Sequence, residues 1–304
     1  MKLSRLIHNH LFRLVYNRIN PYTGVILMLH RVVDSRSIID DNRKLEITPD
    51  FLEQTIEDYR SKGFYFASLD EVYEIQQSLK KIDRPYVCFT FDDGFRDNLT
   101  LAYPIFEKYK IPFTIYVATA FPDKTIFVWW YWLESLIQQC DKLRISENDI
   151  LNTNAVREKN KVFLHIKSLI QELPNDQSRL FIQYLFEING LVMVNNTPLL
   201  SWDDIRELEK SNICSIASHG VTHSSLVALD KKSLMMELKQ SKQILEKQLD
   251  NVVNHFAYPF GDMNESIAKA VKDCGYWSAV RIDGGMQRQK QNIFQLKRTI
   301  LLQP

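Results

Sequence analysis

Alternating strand-like and helical patterns along this chain predict an α/β fold, the alternation that an α/β barrel needs. Two of the strand-like runs end in residues that carry chemistry. Tyr86-Val87-Cys88-Phe89-Thr90-Phe91 runs into Asp92-Asp93-Gly94, and Cys214-Ser215-Ile216-Ala217 runs into Ser218-His219-Gly220-Val221-Thr222-His223. No solenoid-type repeat and no low-complexity tract competes with that reading.

In chain order, Leu3, Leu6, Ile7, Leu11, Leu14 and Val15 recur at helical spacing among Lys2, Arg5, His8, His10, Arg13 and Arg18. Residues 1–20 therefore predict a basic amphipathic helix, lying on an anionic membrane surface or packed against the barrel bottom or a partner subunit. Val25–His30 reads as the first strand, with His30 and Arg31 at its carboxyl end, and the polar residues 34–46 read as loop. Thr48 caps a helix that has Pro49 at its first position and Phe51, Leu52, Ile56 and Tyr59 on its apolar face; Gly63 ends it. Phe64–Phe66 is a short strand, and Ser68 caps a second helix. Pro85 opens the strand Tyr86–Phe91, whose composition fits cover on both faces. Ala102–Tyr109 fits a helix with Pro104 near its first turn, and Phe113–Ala118 the next strand.

There the repeat breaks. From about residue 125 to 198 no strand alternation appears, but helical patterns recur around Trp132–Cys140, Val156–Leu173 and Gln177–Phe186, with the polar residues 146–154 as loop. This predicts a largely helical insertion at the carboxyl end of a strand, on the same side as Asp92 and Asp93. Trp129, Trp130, Tyr131 and Trp132 open it, as a surface for sugar faces or lipid or as the insertion's own core. The alternation resumes at Ser201, an N-cap with Asp204 at the third helical position. After the histidine stretch come a helix over Lys231–Leu249, with Leu234, Leu238, Ile244 and Leu245 inward, and a strand over Val252–Tyr258. Pro259-Phe260-Gly261 closes that strand. A helix over Ala268–Cys274 ends at Gly275, and strands over Tyr276–Arg281 and Phe294–Leu302 finish the chain.

The 304 residues, 45% of them hydrophobic, suit one barrel over residues 21–304, interrupted by the insertion. A net charge of +1 shows no basic surplus for a nucleic-acid partner. Cys88, Cys140, Cys214 and Cys274 are scattered without a disulfide framework or a Cys-x-x-Cys knuckle, which favours a reducing compartment. No apolar run reaches the length of a secretory signal or of a membrane span. The expected location is cytoplasmic, with contact to the inner membrane face through residues 1–20; nothing sets the oligomeric state.

Adjacent carboxylates at the end of a buried strand repel each other and are costly to desolvate. A divalent metal beside one of them compensates and leaves the other as an ionised base, while Gly94 lets the backbone turn sharply. Asp-Asp-Gly is also ordinary turn chemistry, so the second stretch carries more weight. His219 and His223 are two of only seven histidines, and four-residue spacing puts both imidazoles on one side of a tight loop or helical turn. Each histidine taken singly is more often a core or surface residue, but Asp-Asp-Gly and His-x-x-x-His, each at the end of a separate strand, together favour a metal site.

In these residues the chain resembles the polysaccharide deacetylases with a NodB-homology domain. Thr90-Phe91-Asp92-Asp93-Gly94 matches that family's first motif, Ser218–His223 its second, and Ala257-Tyr258-Pro259-Phe260-Gly261 is similar to its third. The likeness runs from about Val25 to the C-terminus, apart from the insertion. It implies a distorted (β/α) barrel with fewer than eight complete units and a site at the carboxyl ends of the strands. It also implies a metal-dependent hydrolase that removes an N-acetyl or N-formyl group from an amino sugar. Asp93, His219 and His223 would hold the divalent metal, zinc being the one expected, with a position left open for water. Asp92 would be the catalytic base, in keeping with the opposite directions of neighbours on a strand. The backbone N–H of Phe260, placed by Pro259, would bind the oxyanion. Family members often carry a His-Arg pair at the position of His30 and Arg31.

Two departures stand out. Ala257 occupies the place where the third motif usually has an arginine that orients the catalytic aspartate. Leu296-Lys297-Arg298 occupies the place where a Leu-x-His usually provides the general acid. Arg298, from a neighbouring strand, is the candidate to replace the arginine. His30 is the candidate acid, ahead of His255, which lies earlier in its strand. The expected substrate is a lipid-linked or nucleotide-linked precursor of envelope polysaccharide on the cytoplasmic side. A carbohydrate-binding barrel without turnover, or a hydrolase of a small non-sugar amide, is the alternative.

Overall fold

The computed structural model describes residues 22–171, 173, 175–193, 198–288 and 290–304; the helix expected in residues 1–20 lies outside them. Its strands are β1 (Tyr22–Leu29), β2 (Arg31–Val32), β3 (Glu46–Ile47), β4 (Tyr65–Phe66), β5 (Tyr86–Phe91), β6 (Phe113–Val117), β7 (Lys142–Arg144), β8 (Ile150–Asn152), β9 (Cys214–Ser218), β10 (His255–Ala257), β11 (Ser278–Arg281), β12 (Gln287–Arg288) and β13 (Leu296–Ile300). Seven of them pair in parallel in the order β1-β13-β11-β10-β9-β6-β5. β5 then pairs back onto β1 from Gly24↔Tyr86 to Leu29↔Phe91, which closes the barrel. The chain thus forms a distorted (β/α) barrel with one strand fewer than eight. β4 extends the first half of β5, and β12 runs antiparallel to the start of β1.

Period-two alternation sorts the strand side chains. Ile26, Tyr86, Cys88, Tyr116, Ala217, Ala257, Val280 and Leu296, drawn from all seven barrel strands, form one buried cluster. Val87, Phe89 and Phe91 belong instead to the larger core with Phe106, Phe113 and Leu238, between the sheet and the helices. Every residue of β5 is buried, as its composition predicts. The helices start where capping chemistry marks them. Thr48 accepts from Phe51 N, and Ser68 and Ser201 each form a complete capping box.

The sequence expectations need two corrections here. Residues 34–46 are not simply loop: Asp40–Arg43 is a helical turn, and β3 pairs in parallel with β2. Polar residues in this stretch are buried by pairing with one another and with the insertion. Glu134 accepts from Asn42 Nδ2 at 2.6 Å, and Glu46 accepts from Ser37 N at 2.6 Å. The insertion does pack as helices Trp129–Gln139, Val156–Gln171 and Asn175–Ile188 around Leu133, Ile137, Phe163, Ile166, Ile182 and Leu185. Between the first two, however, β7 and β8 form an antiparallel hairpin in place of the expected loop. Its three-residue strands, with only Leu143 of β7 buried, are too short for alternation to be readable.

The insertion leaves after β6 and returns beside the loop that follows β5. Arg96 N donates to Pro198 O at 2.7 Å, Leu200 N donates to Gly94 O at 2.9 Å, and Phe95 bridges to Leu199. No helix among the described residues is long and apolar enough to cross a membrane.

Candidate active site

The two adjacent aspartates part company at the end of β5. Asp92 N still donates to Leu29 O at 2.9 Å, so Asp92 continues the pairing with β1. The next residue enters the left-handed region, with φ of 73° at Asp93 and 74° at Gly94. Strand alternation alone is therefore not what separates the carboxylates; a backbone turn at Asp93 does. Aspartate tolerates this conformation better than most residues, and Gly94 takes it freely.

Asp92 meets a buried arginine. Arg298 Nη1 donates to its Oδ1 at 2.5 Å and Nη2 to its Oδ2 at 2.7 Å, and neither residue is more than 3% exposed. Nη1 also reaches Thr90 Oγ1 at 3.3 Å, and the guanidinium lies 5.3 Å from the centre of the Tyr116 ring. Burial on its own pushes the Asp92 carboxyl up, but the charge and paired hydrogen bonds of Arg298 outweigh it and hold the group below the usual carboxylate range. The sequence called for an arginine from a strand next to β10. Arg298 comes from β13, which neighbours β1 and β11 instead, so it reaches Asp92 from another side of the closed barrel.

Asp93 turns toward the histidines. His219 Nδ1 lies 2.9 Å from Ala257 O, an acceptor, so Nδ1 carries the proton and Nε2 presents a lone pair. That Nε2 stands 3.7 Å from Asp93 Oδ1, and His223 Nε2 stands 3.2 Å from the same oxygen. Burial lowers the His219 pKa to about 4 and keeps the ring neutral. Burial also pulls His223 down, but the Asp93 charge more than offsets it and the net shift is upward. Asp93 Oδ1 is buried with no donor in hydrogen-bond geometry, an orphan oxygen facing two ring nitrogens. One ligand atom from each of Asp93, His219 and His223 lies within 4.8 Å of the others. An unsatisfied carboxylate oxygen and two imidazole nitrogens converging on one point fit a divalent cation.

The histidine loop is held from behind by a residue that sequence reasoning passed over. Glu237, buried in the helix Lys231–Leu249, accepts from Val221 N at 2.7 Å, Thr222 N at 3.1 Å and Thr222 Oγ1 at 2.6 Å. Gly220 has φ +82°, and a Cβ there would meet Glu237 Oε2 at 2.9 Å. From the other side, Thr119 N and Ala120 N donate to Gly220 O and Val221 O. The Phe121 ring stacks on His223 at 5.9 Å, and Phe260 meets it edge-on at 4.7 Å.

His30 sits beyond the end of β1. Its carbonyl accepts from Asn98 Nδ2 at 2.9 Å, while its Nδ1 is buried without a partner. Its charge is among the influences that lower both Asp92 and Asp93. Arg31 turns the other way, donating to Asp97 Oδ2 at 2.7 Å with its guanidinium 4.5 Å from the Tyr131 ring. Pro259 is buried, and Phe260 has φ 59° and is 57% exposed. The turn there is closed by Gly261 N to Tyr258 O and Asp262 N to Pro259 O, bonds that do not use the Phe260 N–H. His255 is not brought to this face. It lies at the start of β10, with Nδ1 2.8 Å from Ser278 Oγ and Nε2 2.9 Å from Asp70 Oδ1.

Residues 80–279, more than half of the chain, match the family model described as polysaccharide deacetylase. The chain belongs to that family. It is accordingly a hydrolase of carbon–nitrogen bonds, a deacetylase of polysaccharide. YxkH of Bacillus subtilis (strain 168), named for the same family, is 20% identical over 273 residues, covering 90% of this chain and 69% of its own. The Streptococcus pyogenes deacetylase PplD, solved in complex with acetate, is similar with a TM-score of 0.64 at 20% identity, over 93% of this chain and 94% of that one. IcaB from Ammonifex degensii gives 0.59 at 16% identity, over 92% of both chains. At these identities the two solved structures bear on the fold.

Within the deacetylase, the four aromatics that open the insertion are largely its packing. Trp129 lies 6.4 Å from Phe163, Trp132 stacks on Phe127 at 6.1 Å, and Tyr131 lies under Arg31. Trp130 meets Trp129 edge-on, with its Nε1 buried and unpartnered.

Proposed function

We propose that this deacetylase is a metal-dependent N-deacetylase of an amino-sugar substrate, acting on an N-acetyl or N-formyl group. The observation that carries the reading is the division of labour between two adjacent carboxylates. One is locked to a buried arginine, and the other is turned by a left-handed backbone toward two imidazoles. Asp93, His219 and His223 would hold the cation, for which zinc is our assignment. When bound, it supplies Lewis-acid polarisation of the acyl carbonyl and makes water nucleophilic near neutral pH.

The rest is done by the chain's own groups. Asp92, kept anionic by Arg298, takes the proton of the attacking water as general base. The Phe260 N–H, unused in its turn, donates to the oxyanion. His30, past the end of β1, gives the leaving amine its proton, since the amine departs poorly unless protonated. Thr90 and Tyr116 keep Arg298 in place, so the missing arginine at Ala257 does not leave the base unsupported.

We further assign the substrate to lipid-linked or nucleotide-linked precursors of envelope polysaccharide on the cytoplasmic side, with peripheral membrane contact through residues 1–20. The test is acetate and formate release across lipid-linked, nucleotide-linked and free amino sugars, by wild type and by Asp92→Asn. Release from one of the linked classes, lost by about 10²–10⁴-fold in Asp92→Asn with the metal retained, supports the reading. Release only from extracellular polymer overturns the precursor assignment. Metal loss in Asp92→Asn means that the two aspartates have exchanged roles.

A further inference from the structure

At the opposite end of the barrel the structure carries a second cleft that the chemistry above does not use. Its cavity of about 730 Å³ is lined by Tyr73 and Gln77, by Lys272, Tyr276 and Trp277, and by the segment Gln291–Phe294. Trp277 directly precedes β11 and Phe294 lies two residues before β13, so this is the amino-terminal face of the sheet. Asp92 and Asp93 lie past the other end, roughly 20 Å away by strand length.

Two aromatic rings stand in the cleft. Trp277 is 44% exposed, and its ring lies 5.3 Å from that of Tyr73 with the planes inclined by 32°. A tryptophan left this open forgoes part of its burial energy and offers apolar surface to a partner. It is nevertheless fixed. Its backbone N donates to Asn254 O at 2.6 Å, and the His255 ring meets it edge-on at 6.4 Å. His255 is in turn pinned between Asp70 and Ser278. The histidine set aside as a proton donor thus supports this platform.

The polar groups around the rings complete the pattern. The Gln77 amide, the Lys272 ammonium, the Trp277 Nε1, the Asn292 Nδ2 and the Tyr73 hydroxyl line the cleft, and none of them has a partner among the described residues. All five can donate hydrogen bonds. The volume lies within the roughly 300–1,000 Å³ usual for a small-molecule cleft.

We propose that this cleft is a second glycan-binding site, separate from the catalytic one, which holds a sugar unit of an N-acetylated glycan. The ligand chemistry follows from the lining. A pyranose presents a face of C–H groups that packs on the indole, and its hydroxyl and acetamido oxygens accept from the surrounding donors. The N-acetylated character of the glycan rests on the deacetylase reading; the stacking and the donors do not.

The test uses the full chain carrying Asp92→Asn, so that the probe stays intact, with a β-linked N-acetylglucosamine hexamer titrated by calorimetry. Trp277→Ala and Tyr73→Ala should weaken binding at this cleft at least about tenfold, with Trp277→Phe retaining more than Trp277→Ala. Lys272→Ala and Gln77→Ala, which change only surface groups, should weaken it to a lesser but measurable degree. In the otherwise wild-type chain, Trp277→Ala should leave acetate release from a single-sugar substrate unchanged. Undetectable binding, or the same affinity in all four Ala variants, overturns the proposal. So does loss of sedimentation with phosphatidylglycerol vesicles in Trp277→Ala while hexamer binding persists, because the cleft is then a membrane anchor. Since binding is read in the Asp92→Asn chain, failure of the wild type to release acetate counts against the catalytic reading and leaves this one standing.

Discussion

Replacing Arg298 by methionine removes a buried charge, roughly keeps the volume, and leaves Asp92 alone in a site where burial is the largest influence on its pKa. Breaking a buried ion pair by removing one partner costs about 3–5 kcal/mol, because the remaining charge is uncompensated. We expect urea unfolding at neutral pH to show a loss in that range. In wild type the Asp92 pKa is depressed from its unfolded value near 3.9. Its contribution to stability is therefore complete above about pH 4 and is lost as pH falls through the lower folded value. In Arg298→Met the pKa moves above the unfolded value, so the folded state takes up the proton first. The variant should then gain stability on acidification from pH 7 towards 4, a range in which the wild-type contribution of Asp92 is constant. The acid limb of its kcat/KM profile should move upward by the same amount, since the base must be ionised. Asp92→Asn combined with Arg298→Met should recover more than half of the lost stability, as double replacement of buried pairs often does. A loss below about 1 kcal/mol with an unmoved acid limb would refute the view that Arg298 holds the base.

Four further outcomes follow. His223→Ala should empty the metal site, read as metal per chain by elemental analysis; equal metal in both proteins ends the ligand assignment. His30→Ala should keep metal and fold but lose turnover together with the alkaline limb of the pH–rate profile, whereas an unchanged profile moves the proton donor elsewhere. Glu237→Gln removes the charge that holds Val221 and Thr222, so metal affinity should fall about 10–100-fold with little change in the fold; unchanged affinity would make Glu237 a helix residue without influence on the site. Trp129→Ala should destabilise the insertion by about 3 kcal/mol more than it alters preference among acyl sugars, because its ring packs against Phe163; a shift in preference without loss of stability would restore a sugar-facing role.

What the sequence made legible is what neighbouring residues determine. The run Tyr86–Phe91 is buried at every position, and Asp92-Asp93-Gly94 follows it where the structure turns the chain. The histidine loop was readable for the same reason, since spacing and strand end are local. Glu237 was not readable. A glutamate in Lys231–Leu249 looks like part of a solvated face until the fold places backbone N–H groups of the histidine loop above it. The same holds for Asp97, which ties Arg31 and Val32 across 65 residues of chain. The left-handed conformations of Asp93, His223 and Phe260 were equally hidden, because none of the three is glycine. Strained backbone of this kind persists only where the surroundings over-determine it. Here the surroundings are the strand pairing at Asp92, the Glu237 clamp and the close approach of Ile282 to Gly261.

The exchange between Ala257 and Arg298 shows what a closed barrel allows. In an open sheet, an arginine two strands away from its usual position would be far from the aspartate it must hold. In a barrel, the inward side chains of every strand converge on one interior, and β13 lies next to β1, the strand that pairs with β5. Arg298 therefore reaches Asp92 from inside, past Thr90, while Ala217 and Ala257 keep the neighbouring interior positions small. Tyr116 supplies the ring against which the guanidinium rests. Under the proposed mechanism the base needs a buried cation with two parallel donors, and here β13 delivers it. Asp92 and Arg298 are buried as a pair, so each charge depends on the other for its compensation. Under the proposed mechanism this pair is what keeps the general base ionised inside the barrel.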